Sequence, residues 1–171
     1  MGARLRLPII LATSVAALVA LVVALLAAPP SSGGQAAAGA ADRPSAAGKG
    51  KVPRRAVLRL KNSRFGPVIH EKKSGLVAYL FTKDKRGKSK CYGSCAKGWP
   101  PIKTRKRPKA GKGLKQKNLG VIRRRNGAKM VTYKGRPLYF YVHDSPGVIL
   151  CHDVREFGGD WFVVKRNGRP A

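Results

Sequence analysis

Acidic residues are scarce in this chain. Seven Asp and Glu stand against 36 Lys and Arg in 171 residues, a formal net charge of +29. No acid precedes Asp42, and four of the seven (Asp144, Asp153, Glu156 and Asp160) fall in one short stretch. A pair of carboxylates for general acid–base work therefore has few places to come from. Gly-x-Ser-x-Gly, a phosphate-binding loop, a dinucleotide fingerprint and His-Glu-x-x-His are all missing. The chain reads as noncatalytic. Cysteine is nearly as rare: Cys91, Cys95 and Cys151 are three, and three cannot all pair within one chain. None follows the N-terminal apolar run, which excludes a lipid-modified cysteine. No aromatic residue lies between Trp99 and Tyr133. That gap removes the stacking side chains a single-strand nucleic-acid binder needs. Beyond residue 55 no segment keeps a long 3.6-residue period, which argues against a helical domain.

What the N-terminus does contain is an export pattern. Arg4 and Arg6 precede Ile9–Ala28, an uncharged apolar stretch ended by Pro29-Pro30, and Ala38-Gly39-Ala40 suits a cleavage site. Residues 1–40 read as a signal peptide or as an N-terminal membrane anchor through 9–28, a length that spans a bilayer as a helix. Either way the remainder is expected to be extracytoplasmic, secreted or anchored. Residues 41–55 read as a flexible linker, and 56–171 as the folded domain. Beyond residue 40 lie 34 bases and 7 acids, a net +27. Such a surface attracts polyanions. Outside the cytoplasm these are anionic lipid headgroups or cell-wall polymers, held nonspecifically. No sequence-specific nucleic-acid binding is expected.

The chain is internally repeated. Tyr79-Leu80-Phe81-Thr82-Lys83-Asp84 matches Tyr139-Phe140-Tyr141-Val142-His143-Asp144, both reading Tyr-x-aromatic-x-x-Asp. Gly87 and Gly147, Cys91 and Cys151, and Trp99 and Trp161 follow in the same order. Copy one spans about 64–103 and copy two about 121–169. These residues, with Cys91-Tyr92-Gly93-Ser94-Cys95 and Trp99-Pro100-Pro101, resemble secreted repeat proteins, predicted lipoproteins with a Yx(FWY)xxD motif. That group has no established function, so the resemblance implies a class and no mechanism. The absent lipobox cysteine, the third cysteine and the basic insert after Trp99 depart from it.

The expected fold is mainly β: an antiparallel two-repeat domain after an N-terminal apolar helix and a disordered linker. Val121–Arg125, Asn126-Gly127 and Ala128–Tyr133 read as a hairpin with a two-residue turn, both turn residues at positive φ. Lys134-Gly135 makes a second turn. In a strand, Tyr79 and Phe81 share a face, as do Tyr139 and Tyr141. They read as core. Asp84 and Asp144, each before a Gly-containing turn, read as acceptors for loop N–H groups.

For the cysteines a Cys91–Cys95 disulfide is the first expectation, with Cys91–Cys151 as the other pairing. The alternative function is a soft-metal or redox protein, in which Cys91, Cys95, Cys151 and His152 bind copper. No other cofactor is expected. The insert 103–117 carries Lys103, Arg105, Lys106, Arg107, Lys109, Lys112, Lys115 and Lys117. It reads either as a solvated mobile loop or as a polyanion-binding arm, with Arg123-Arg124-Arg125 adding three more bases.

Overall fold

A computed structural model describes residues 51–171. The signal or anchor segment and most of the linker lie outside the described residues. Among those residues, no helix is long and apolar enough to cross a membrane.

Two hairpins frame the domain. In the first, β1 (Val57–Ser63) pairs antiparallel with β2 (Gly66–Glu71), Leu58 opposite Glu71 and Ser63 opposite Gly66. β3 (Tyr79–Phe81), which opens the first motif, begins a few residues after this hairpin; the second motif forms no strand and pairs only through bridges at Tyr139. A short helix, α1 (Ser94–Gly98), then leads to Trp99. The segment after it contributes β4 (Lys109–Ala110), and β5 (Leu119–Arg123) with β6 (Lys129–Tyr133) forms the second hairpin. β7 (Arg136–Pro137), β8 (Val154–Glu156) and β9 (Gly159–Val163) complete the chain. Among the described residues the result is three small three-stranded sheets, β2-β1-β4, β3-β9-β8 and β5-β6-β7.

The two copies are interleaved. Tyr79 and Tyr139 exchange backbone hydrogen bonds, Tyr79 N–H to Tyr139 O at 2.8 Å and Tyr139 N–H to Tyr79 O at 2.9 Å. β3 of copy one pairs with β9 of copy two, Phe81 opposite Trp161. Reciprocally, Phe140 N–H donates to Pro100 O and Ile102 N–H to Leu138 O, both at 2.9 Å. The hairpins follow the same rule: Ile69 N–H donates to Val164 O and Val131 N–H to Ile102 O. Each copy's segment after its tryptophan thus satisfies backbone groups of the other copy, which an isolated copy would leave unpaired.

Two expectations change. The loop after β5 has three residues, Arg125 to Gly127, because Arg124 N–H bonds Ala128 O and Gly127 N–H bonds Arg124 O. Only Gly127 there has positive φ, 78°, as a three-residue hairpin loop requires. The left-handed pair sits one turn later, at Lys134 (φ 48°) and Gly135 (φ 79°). The insert is also not a free loop. β4 lies parallel to β1, with Lys109 N–H on Ala56 O, Gly111 N–H on Leu58 O and Leu60 N–H on Lys112 O. β1 would otherwise be an open edge with unpaired backbone groups. At Gly111 a Cβ would come within 3.1 Å of Leu58 O, so the close approach of the two backbones favours glycine there. Gln116 clamps the segment by accepting from Ala110 N–H and donating to Pro108 O, each at 2.9 Å.

Candidate functional site

The motif residues meet at the junction of the copies. Tyr79 donates its hydroxyl to Asp144 Oδ2 at 2.6 Å, and Tyr139 donates to Asp84 Oδ2 at 2.7 Å. The tyrosine of each copy therefore pairs with the aspartate of the other. The second oxygen of each carboxylate organises its own loop six residues on: Lys90 N–H donates to Asp84 Oδ1 and Leu150 N–H to Asp144 Oδ1. Gly87 and Gly147 take φ of 73° and 80° in the matching turns. All four side chains are buried. A buried carboxylate that accepts these bonds avoids the cost of an unpaired polar group.

Burial pushes the Asp84 carboxyl up to about 6, although hydrogen bonds from Tyr139 and Lys90 and the charges of Arg124 and Arg136 pull it down. Burial also raises Asp144, against the pull of its bonds from Tyr79 and Leu150. Both tyrosine hydroxyls are pushed well above the ordinary value, by burial first and then by the facing aspartates. They stay protonated donors.

The tryptophans close the same junction. Trp99 stacks on Trp161 with ring centroids 4.0 Å apart and planes 6° from parallel. Tyr79 meets Trp99 edge-on at 5.2 Å, and Tyr139 meets Trp161 edge-on at 5.1 Å. Phe81 stacks on Trp161 at 4.2 Å, while Tyr141 tilts against Trp99 at 4.7 Å. Each motif tyrosine at the first position meets the tryptophan of its own copy, while Phe81 and Tyr141 rest on the tryptophan of the other copy. Glu156 serves both indoles: its Oε2 accepts from Trp99 Nε1 at 2.7 Å and its carbonyl from Trp161 Nε1 at 3.3 Å.

Copy two sends a buried cation, Arg124, into the loop that follows Asp84. Arg124 is 5% exposed. It donates through Nη1 to Ser89 Oγ at 2.8 Å and through Nη2 to Cys91 O at 2.6 Å. Ser89 Oγ in turn bonds Tyr139 OH at 2.7 Å, so arginine, serine, tyrosine and aspartate form one chain. Arg124 and Arg125 both lie over the Tyr92 ring. The signal was strand alternation: Arg123 ends β5 exposed, so its neighbour faces the other way.

Cys91 and Cys95 form a disulfide across the start of α1. Oxidised, Cys91 and Cys95 offer no thiolate, and of the four residues named for copper, Cys91, Cys95, Cys151 and His152, the free thiol is that of Cys151. Among the described residues no group of three or more His, Cys, Asp or Glu is placed to hold a metal. Cys151 is free and half-buried, and burial raises its thiol. Tyr141 beside it is pushed up to about 12, by burial and by its hydrogen bond to Cys151. His152 sits against Phe65, its ring centroid 4.1 Å away, and accepts from Val163 N–H through Nδ1 at 3.4 Å. Burial lowers its pKa. Neutral imidazole fits that apolar setting.

Two segments, residues 72–103 and 120–165, match a family described as a secreted repeat of unknown function. Both segments match the same repeat. The matched segments hold both Tyr-x-aromatic-x-x-Asp motifs and both tryptophans. They leave out most of the basic insert, which lies between them. The description as secreted supports an extracytoplasmic location. No curated protein and no solved structure matches the chain.

The eight insert bases are placed apart from the motif junction. Lys103, Arg105, Lys106, Arg107, Lys109, Lys112, Lys115 and Lys117 are all exposed, on a backbone that is itself pinned. Thr104 between them is buried and accepts from Ala56 N–H.

Proposed function

We propose that this secreted repeat protein is a noncatalytic extracytoplasmic module that holds anionic polymers or anionic lipid surfaces by charge. One observation carries the reading: the insert presents all eight of its bases to solvent from a segment hydrogen-bonded to β1. A pinned segment loses little further backbone freedom when it meets a ligand, which lowers the entropic cost of binding. The motif supports the noncatalytic half of the proposal. Its aspartates and tyrosines are buried and spend their hydrogen bonds on one another and on loop backbone. They have no free face for a substrate.

The test uses glutamine substitutions, because removing residues 103–117 would also uncover the edge of β1. With all eight insert bases changed to Gln, the protein should elute from heparin, and from vesicles rich in phosphatidylglycerol, at markedly lower salt than the unaltered chain. Binding of the unaltered chain should weaken steeply with salt, as counterion release demands. Elution at the same salt for both proteins would refute the proposal.

A further inference from the structure

Two hollows adjoin on the side of copy two where the insert ends. The larger, about 640 Å³, is lined by Lys115, Lys117, Lys134, Lys165 and Arg166 together with Asn118 and Tyr133. The smaller, about 500 Å³, is lined by Arg86, Lys134, Arg136 and Arg169. Both share Lys134 and Asn167. Counting Lys134 once, eight cations line the pair, and neither lining includes an Asp or Glu.

The walls are built from fixed backbone. Tyr133 is buried and donates its hydroxyl to Arg166 O at 2.7 Å, while Asn118 Nδ2 donates to that hydroxyl at 3.3 Å. Lys134 N–H bonds Asn118 O at 2.7 Å, and Gly87 N–H bonds Gly135 O at 2.8 Å. Three stretches of chain are thus tied around one lysine. Lys134 itself holds a left-handed φ of 48°, a conformation unfavourable for a side-chain-bearing residue.

The duplicated fold supplies its own control. Sixty positions away, the counterparts of Lys134, Arg86 and Arg136 are Ser74, Pro146 and Leu76. The backbone contact is the same there, Gly147 N–H on Gly75 O at 3.0 Å. Yet that place is closed and its charge is balanced: a Cβ on Gly75 would meet Pro146 Cβ at 3.0 Å, Leu76 is buried, and beside Lys61, which lies against Gly147, Ser74 is bonded to the Glu71 carboxylate. The repeat architecture does not call for cations at this position. Gathering eight of them without a carboxylate costs Coulomb energy that an anionic ligand would recover.

We infer that the joined hollows around Lys134 are a binding groove for a linear polyanion with closely spaced phosphate groups. This rests on the polyanion reading above and narrows it to one place and one ligand shape. Two concave hollows that share Lys134 and Asn167 suit a chain laid across both. A flat headgroup layer would touch protruding tips instead.

Long-chain inorganic polyphosphate is the probe. Arg86, Lys117, Arg166 and Arg169, all exposed, are changed together to Gln in one variant. Arg54, Arg55, Lys72 and Lys97, also exposed and lining neither hollow, are changed together in a second with the same charge loss. The groove variant should bind polyphosphate at least about ten-fold more weakly than the second. Its salt slope should fall by about one for each phosphate-contacting base removed. In the unaltered chain, amide shifts on titration should concentrate at Lys117 to Asn118, Lys134 to Arg136 and Lys165 to Arg169. Equal losses in the two variants, or shifts spread over the whole basic surface, would overturn the groove and leave the general charge proposal standing. Retention on phosphatidylglycerol vesicles without polyphosphate binding would overturn it in favour of a membrane surface. Failure of the unaltered chain to bind heparin, polyphosphate and vesicles alike would remove both readings.

Discussion

The loops that follow the two aspartates share one backbone and differ in what fills it. Loop 84–91 and loop 144–151 make the same turn, the same six-residue reach from carboxylate to N–H, and the same bond to the other copy's tyrosine. Inside loop 84–91, Ser89 meets Arg124, and Cys91 is oxidised to Cys95. Inside loop 144–151, the position of Ser89 is taken by buried Ile149 and that of Cys91 by the free Cys151. The shared part states what the motif is for: it locks two copies together. The differing part shows that copy one is braced by polar and covalent links, and copy two by apolar packing.

The largest effect that separates the copies should come from the motif aromatics. Phe81 is 2% exposed and stacked 10° from parallel on Trp161, whereas Tyr141 is half-buried and tilted by 39° on Trp99. Phe81→Ala should cost about 3–5 kcal/mol, the usual loss for a fully buried phenyl ring. Tyr141→Ala should cost less than half of that, since part of its surface is already wet. Urea denaturation of both variants measures the difference. Equal losses would mean the copies contribute equally to the aromatic stack despite their unlike burial.

The motif was legible because its spacing repeats along the chain, and aromatic alternation gave Tyr79, Phe81, Tyr139 and Tyr141 a shared-face role. The partner choice was not legible. Tyr79 and Asp144 are 65 residues apart and Tyr139 and Asp84 are 55 apart, so nothing local says that each tyrosine crosses to the other copy. Arg124 was hidden inside a run of three arginines, where only the register of β5 distinguishes the buried one. The insert read as a loop because its anchor is the exposed edge of β1, a tertiary need that composition does not display. The groove around Lys134 depends on three stretches brought together by Tyr133, and was equally out of reach.

The next effect concerns the carboxylates. Asp84 holds its proton up to about pH 6 in the folded state, against an ordinary value of 3.8. Between those values the folded chain binds more protons than the unfolded one. Stability from this group is therefore greatest below about pH 4, and it falls as pH rises towards 6. Two pKa units correspond to about 3 kcal/mol at most. Asp84→Asn should flatten that part of the stability–pH curve. Asp144, raised in the same direction, should leave a residual slope until it too is replaced. A steeper curve for Asp84→Asn than for the unaltered chain would contradict the assigned shift.

The smallest effect is the most specific to the asymmetry. Arg124 reaches into loop 84–91 with two bonds, to Ser89 Oγ and Cys91 O, and is buried. Arg64, exposed, reaches into loop 144–151 with a bond from Nη2 to Ile149 O at 2.9 Å. Hydrogen bonds from a charged donor are worth about 1.5–3 kcal/mol when buried, and a solvent-exposed one much less. Arg124→Ala should then cost about 2 kcal/mol and Arg64→Ala under about 1. A second readout separates the charge of Arg124 from its packing. Its guanidinium helps to hold Asp84 down, so its loss should move the Asp84 transition to higher pH, while Arg64→Ala should leave that transition in place. Arg124→Met, which keeps the apolar stem and removes the charge, should shift the transition as far as Arg124→Ala does but cost less stability. A transition unmoved by either Arg124 variant would show that the arginine braces the loop without acting on the carboxylate, and that the two copies differ in packing alone.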